Sequence, residues 1–173
     1  VKTIGNSVFR DCTGISGDIN ISSNVESIGN DNWWGCSHPQ LEGVVFDSLF
    51  SGVIGNLNWN GAANLDYLEL KFTNADAIIG SNNWQGLKLL KRIDISCPAS
   101  VWAGNNNFSQ ILDSSEVEFN IDSSVFSEYD NPVWKSAQGV PAGPTFNSVL
   151  EVKLLSIVCP VCPRIVLIIV ALL

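Results

Sequence analysis

Apolar and polar residues alternate in short bursts along most of this chain, and the bursts recur at a regular spacing. Leu68 and Leu70, then Ile93 and Ile95, then Val117 and Phe119 form pairs one residue apart, with polar residues between them. The same figure, stretched by a residue or two, is found in Ile15, Ile19 and Ile21 and in Leu41, Val44 and Phe46. Alternation of this kind, rich in Ile, Val and Phe and bounded by Gly, Asn and Ser, predicts short strands with one buried face.

A second mark lies between the predicted strands. Ile-Gly-Asn followed three residues later by an aromatic occurs as Ile4-Gly5-Asn6 with Phe9, Ile28-Gly29-Asn30 with Trp33 and Ile54-Gly55-Asn56 with Trp59, and as Ile79-Gly80-Ser81 with Trp84. It fades to Ala103-Gly104-Asn105 with Phe108 and Tyr129-Asp130-Asn131 with Trp134. The aromatic returns every 24 to 26 residues, a period that belongs to stacked-repeat proteins. One strand per unit, all running the same way, predicts a parallel sheet on one side of a coil and short turns, helical or extended segments on the other. The aromatic would fill the space between the two walls, and stacking would supply a core that no single unit can bury. The glycine is expected at a turn that needs positive φ. The asparagine beside it is expected to bond the backbone of the neighbouring coil.

The ordered string I-G-x-x-x-(F/W)-x-x-C-x-x-L-x-x-I-x-I-x-x-x-V resembles the BspA-type, or treponemal-type, leucine-rich repeat. Phe9, Cys12, Ile19, Ile21 and Val25 of the first unit stand at or within one residue of the family's places, as do Trp84, Leu90, Ile93, Ile95, Pro98 and Val101 of the fourth. The resemblance covers about residues 1 to 128. The chain departs from the family in its Trp for Phe, its lack of the preceding alanine and its few leucines. The resemblance implies a leucine-rich-repeat solenoid, a cell-surface or secreted location, and adhesion or protein binding, with partners docking on the sheet face.

Five to six units occupy residues 1–135. Val1-Lys2-Thr3-Ile4-Gly5 parallels Val25-Glu26-Ser27-Ile28-Gly29, so the chain is expected to open within the closing stretch of an earlier repeat, as a piece of a longer array. Residues 136–150, with their Gly and Pro, read as a degenerate last coil or a linker. Residues 151–173 are a different, apolar material. The stretch 154–173 has about the 20 residues a spanning helix needs, but Pro160, Pro163 and Arg164 interrupt it. A membrane anchor, a strand closing the solenoid and a non-native end are all open readings.

Charge and inventory narrow the chemistry. A net charge of −8 argues against a nucleic-acid partner, which needs a basic stripe; Lys88, Lys91 and Arg92 cluster, but among acids. His38 is the only histidine, and the chain holds neither a phosphate-binding loop nor a dinucleotide signature, so neither an enzyme nor a cofactor is expected. Cys159-Pro160-Val161-Cys162 lacks the second ligand pair of a zinc site. Cys12 and Cys36 stand at one place in successive units, as buried thiols or as a disulfide between coils. Asn20-Ile21-Ser22 and Asn107-Phe108-Ser109 are glycosylation sequons.

The candidate site is the outward side of the strands. Ten residues after each aromatic stand Glu69, Asp94 and Glu118, expected to stack into a carboxylate ladder about 5 Å apart. Tyr67, Arg92 and Glu116 lie two places earlier, and Lys71, Ser96 and Asn120 two places later, so that Lys71 and Arg92 serve as counter-ions. With Asp66 and Lys91, these residues form the expected face for a protein or glycan ligand. A Ca²⁺ site on Glu69, Asp94 and Glu118 is a weaker reading. A polysaccharide hydrolase working through the carboxylates and a purely architectural spacer are the rivals.

Overall fold

Each of the first four repeats forms one short and one long strand, the last two form only a long one, and each kind stacks with its own. The computed structural model describes residues 1–111, 116–150, 154–157 and 166–169. The long strands β2 (Gly17–Ile21), β4 (Leu41–Phe46), β6 (Tyr67–Leu70), β8 (Arg92–Ile95), β9 (Glu118–Asp122) and β10 (Thr145–Val149) form a six-stranded parallel sheet in the order β2-β4-β6-β8-β9-β10. The two-residue strands β1 (Thr3–Ile4), β3 (Ser27–Ile28), β5 (Val53–Ile54) and β7 (Ile78–Ile79) form a second parallel sheet on another wall. The molecule is therefore a β-solenoid of about six turns. The parallel sheet expected on one side is present, and of the turns, helical or extended segments expected opposite it, the first four coils use extended ones, which pair into the second sheet.

The periodic aromatics form the predicted interior column. Phe9, Trp33, Trp59, Trp84 and Phe108 stack with ring centroids 5.1, 5.0, 5.3 and 6.0 Å apart and planes within 19° of parallel. Burying each large ring contributes at most roughly 4–6 kcal/mol. The indole N–H groups of Trp59 and Trp84 have no hydrogen-bond partner, at about 1–3 kcal/mol each. Area therefore outweighs the unpaired polar atoms, and the rings stay inside.

Two files of amides tie the coils together. On the outer file, the Asn30 N–H donates to Asn6 Oδ1, Asn56 N–H to Asn30 Oδ1 and Ser81 N–H to Asn56 Oδ1, at 2.7–2.8 Å, as the sequence leads one to expect. An inner file was not foreseen. Asn32, Asn58, Asn83 and Asn107, each one residue before an aromatic, are fully buried. Each backbone N–H from Val8 to Asn83 donates to the Oδ1 of the next coil's asparagine at 2.8–3.1 Å. These are the polar partners that let the turn backbone be buried.

The repeat glycines act through stacking rather than through φ. Gly29, Gly55, Gly80 and Gly104 are not among the positive-φ residues. A Cβ on Gly29 would lie 2.8 Å from the Gly5 carbonyl carbon, one on Gly55 2.7 Å from Gly29 O, and one on Gly104 2.6 Å from Gly80 O. Left-handed backbone instead falls two residues after each of these glycines and after Gly5, at Ser7, Asp31, Leu57, Asn82 and Asn106, and again beyond the aromatic at Asp11, Gly35, Gly61, Gly86 and Gln110.

The sixth coil is built differently. The short helices α1 (Phe126–Tyr129) and α2 (Pro132–Ala137) replace the Ile-Gly-Asn turn. Asn131 caps α2 by accepting from Val133 N–H, and Trp134 meets Phe108 at 6.2 Å with planes 50° apart, outside the parallel stack. Gln138 takes the inner-file place: Asn107 Nδ2 donates to its Oε1 at 2.8 Å. Under α1, the Tyr129 hydroxyl donates to Cys97 O and accepts from Trp102 Nε1. Cys97 is fully buried there, in the loop that follows β8. β10 then pairs with β9, so residues 136–150 complete the last coil.

Beyond it, β11 (Leu154–Ile157) pairs antiparallel with β12 (Val166–Ile169) and, among the described residues, with no strand of the solenoid. The Cys159–Cys162 pair lies outside the described residues. Among those described, no helix is long and apolar enough to cross a membrane.

Candidate functional site

Alternation turns every second residue of the six-stranded sheet outward, and the register sets those residues in files across the coils. One file runs Gly43, Tyr67, Arg92, Glu118 and Thr145; the next runs Asn20, Val45, Glu69, Asp94, Asn120 and Asn147. Glu69 and Asp94 are thus neighbours, as expected. Glu118 is not: it pairs with Arg92, and Asn120 stands beside Asp94. The three-carboxylate ladder is corrected to a pair of acids followed by two amides. Among the described residues, no trio of His, Cys, Asp or Glu is placed to hold a metal ion.

The slip has a simple cause. The fifth repeat spends two more residues between aromatic and strand, so Phe119 and Ile121 face inward opposite Ile93 and Ile95. Val117 is also buried, so the alternation Val117, Phe119, Ile121 fits either register. Glu116 falls before β9, out of line with Tyr67 and Arg92. Asp66 and Lys91 do align at the strand entrances, where the Lys91 N–H donates to Asp66 O at 2.8 Å.

Cations thread the acids. Lys71 Nζ lies 3.6 Å from Glu69 and 3.7 Å from Asp94, and Arg92 Nε lies 3.6 Å from Asp94. None of these reaches hydrogen-bond length, and the lysine and arginine side chains are substantially exposed, so each pair contributes about 0–1 kcal/mol. Asp94 also accepts from Asn120 Nδ2 at 3.1 Å, and Asn120 accepts in turn from Asn147 Nδ2 at 3.0 Å.

Tyr67 joins the first coils to this group. A side chain on Gly43 would overlap the Tyr67 ring, so the absent Cβ is what lets the ring lie across β4. Burial first, and the Asp18 carboxylate second, push the pKa of its phenol above the ordinary value. The Arg92 guanidinium covers the ring at 5.1 Å from its centroid, within cation–π range.

Two hollows open on either side of Lys71. One, of about 310 Å³, is lined by Arg92, Asp94, Ser96, Asn120, Asp122 and Val149 as well as Lys71. The other, of about 500 Å³, lies among Glu69, Lys71, Thr73, Ser96, Ser48 and Leu49, and Leu49 is 74% exposed. Asp18, Gly43, Asp122 and Asn147 were missed from the sequence; only the pairing of distant coils brings them to the face.

Other candidate chemistry is dispersed. His38 Nδ1 accepts from the Gln40 N–H in a local turn. Cys12, Cys36 and Cys97 are free thiols; Cys36 is buried and donates to Phe9 O at 3.2 Å. Asn107 is fully buried in the inner file, which closes that sequon to modification in the folded protein, whereas Asn20 is exposed on the sheet. No family model matches the chain, and no curated protein or solved structure matches it either.

Proposed function

We propose that this chain is a non-enzymatic interaction module that binds a protein or glycan ligand through the outer face of its six-stranded sheet. In this reading it is a divergent leucine-rich-repeat solenoid of BspA type, working in adhesion at a cell surface or after secretion. The observation that carries the binding reading is the loose pairing of Lys71 and Arg92 with Glu69 and Asp94 at 3.6–3.7 Å. Groups held this way are already ordered on a stiff sheet, yet parting them forfeits little. A ligand carboxylate, hydroxyl or guanidinium can displace one partner without leaving a buried charge behind. The adjoining hollows offer hydroxyl, amide and apolar contacts for the rest of such a ligand.

Protein and glycan arrays probed with the wild type and with Lys71→Ala/Arg92→Ala and Glu69→Ala/Asp94→Ala test the reading. A tenfold or greater loss of a wild-type signal in either variant supports it. Signals that ignore both pairs would sink it, and would leave the architectural spacer as the better account. The side-by-side Glu69 and Asp94 carboxylates are what favour the hydrolase alternative; release of reducing sugar from a glycan, abolished in Glu69→Ala/Asp94→Ala, would establish that instead.

A further inference from the structure

The amino-terminal end of the solenoid carries the features of an internal joint with nothing seated on it. Every later repeat glycine is pressed by the coil before it: Gly29, Gly55, Gly80 and Gly104 would each put a Cβ within 3.0 Å of that coil's backbone. Gly5 occupies the same place in the repeat, but a Cβ there would meet only Val8 Cγ2, at 3.6 Å. Its φ is not positive, so its own conformation does not call for glycine. The requirement is absent while the residue that meets it is present.

Hydrogen bonding shows the same open joint. Gly29, Gly55, Gly80 and Gly104 each donate their N–H to the isoleucine carbonyl of the preceding coil at 2.8–3.0 Å. Asn30 and Asn56 donate theirs to the preceding asparagine side chain. Gly5 N–H and Asn6 N–H meet no equivalent acceptors among the described residues. Apolar cover is missing as well. Phe9 and Ile4 are only partly buried, whereas Trp33 and Ile28, their counterparts one coil on, are 4% and 2% exposed.

We propose that this end is a docking face for one more coil of the same Ile-Gly-Asn-aromatic repeat, stacked in register on β1 and β2. The occupant is specified by continuity with the joints already present, which bury the same face four times over in one geometry. The interface is separate from the outer sheet face and stands whether or not that face binds a ligand. One rung is altered: Val8, 54% exposed, replaces the inner-file asparagine, so the incoming coil meets a methyl surface there instead of an amide.

The test is a full chain carrying a second copy of residues 1–24 ahead of Val1, a splice that continues the repeat without changing its phase. The expected result is a higher thermal midpoint than that of the original chain. Gly5→Ala should leave the original midpoint within about 2 °C but lower that of the extended chain by roughly 5 °C or more, as Gly29→Ala should do in both. Val8→Asn should raise the midpoint only in the extended chain, where an amide can take the incoming N–H. An extension that fails to raise the midpoint, or a Gly5→Ala effect equal in the two chains, would overturn the proposal.

Discussion

Asn58 is bound twice by Asn83: its backbone N–H and its Nδ2 both donate to Asn83 Oδ1, at 3.0 and 3.1 Å. Both residues are fully buried, and water cannot substitute for either bond.

Asn83→Ala is therefore expected to cost about 2–4 kcal/mol, because it strands two buried donors of Asn58 at once. Asn56 plays the same part on the solvent side of the turn, and there water can replace a lost bond. Asn56→Ala should cost less than about 1 kcal/mol. Urea unfolding of the two variants measures the difference; equal losses would show that burial does not govern the files.

Leu57 and Gln110 both hold φ of 61°, where a Cβ is strained. At the place of Leu57, other coils have Ser7, Asp31, Asn82 and Asn106; at the place of Gln110, most have glycine, in Gly35, Gly61 and Gly86. Leu57→Asn and Gln110→Gly should each stabilise the fold by about 1 kcal/mol, raising the melting midpoint by roughly 2–4 °C apiece. A fall in the midpoint of either variant would show that the native side chain contributes more than its backbone strain costs.

Stability should decline in alkali. Burial pushes the Cys97 thiol from its ordinary 9.0 up to about 12, so between those values the unfolded chain loses this proton while the folded chain keeps it. Unfolding is favoured as pH rises through that window, by up to about 1.4 kcal/mol per pH unit. Tyr129, also held protonated chiefly by burial, adds to the decline above its ordinary range. Thermal melts from about pH 8 to about pH 11 should show a shallower slope for Cys97→Ala than for wild type. Superimposable slopes would place Cys97 outside the linkage.

How much of this could be read from the residues alone varies by feature. The aromatic column was legible because its cause is repetition itself: a large ring at a fixed place in each unit has nowhere to go but onto the next. The strand ladder was legible through Ile95, then misread at Val117, since alternation cannot fix register where three successive odd positions are all apolar. Glycine was read as a turn residue because local rules attach it to positive φ, whereas its cause here is a coil some two dozen residues away. The inner asparagines recur before four aromatics in plain view. Their burial does not show in the sequence, because asparagine is usually exposed and only a parallel stack gives it buried partners.

The two amide files run in opposite senses. The inner one donates toward the carboxyl-terminal coils, while the outer one donates toward the amino-terminal coils. In an α-helix the peptide dipoles all add, and charge of opposite sign collects at the two ends. Here the two files oppose one another from coil to coil, so these side-chain bonds largely cancel along the axis instead of adding as turns are stacked.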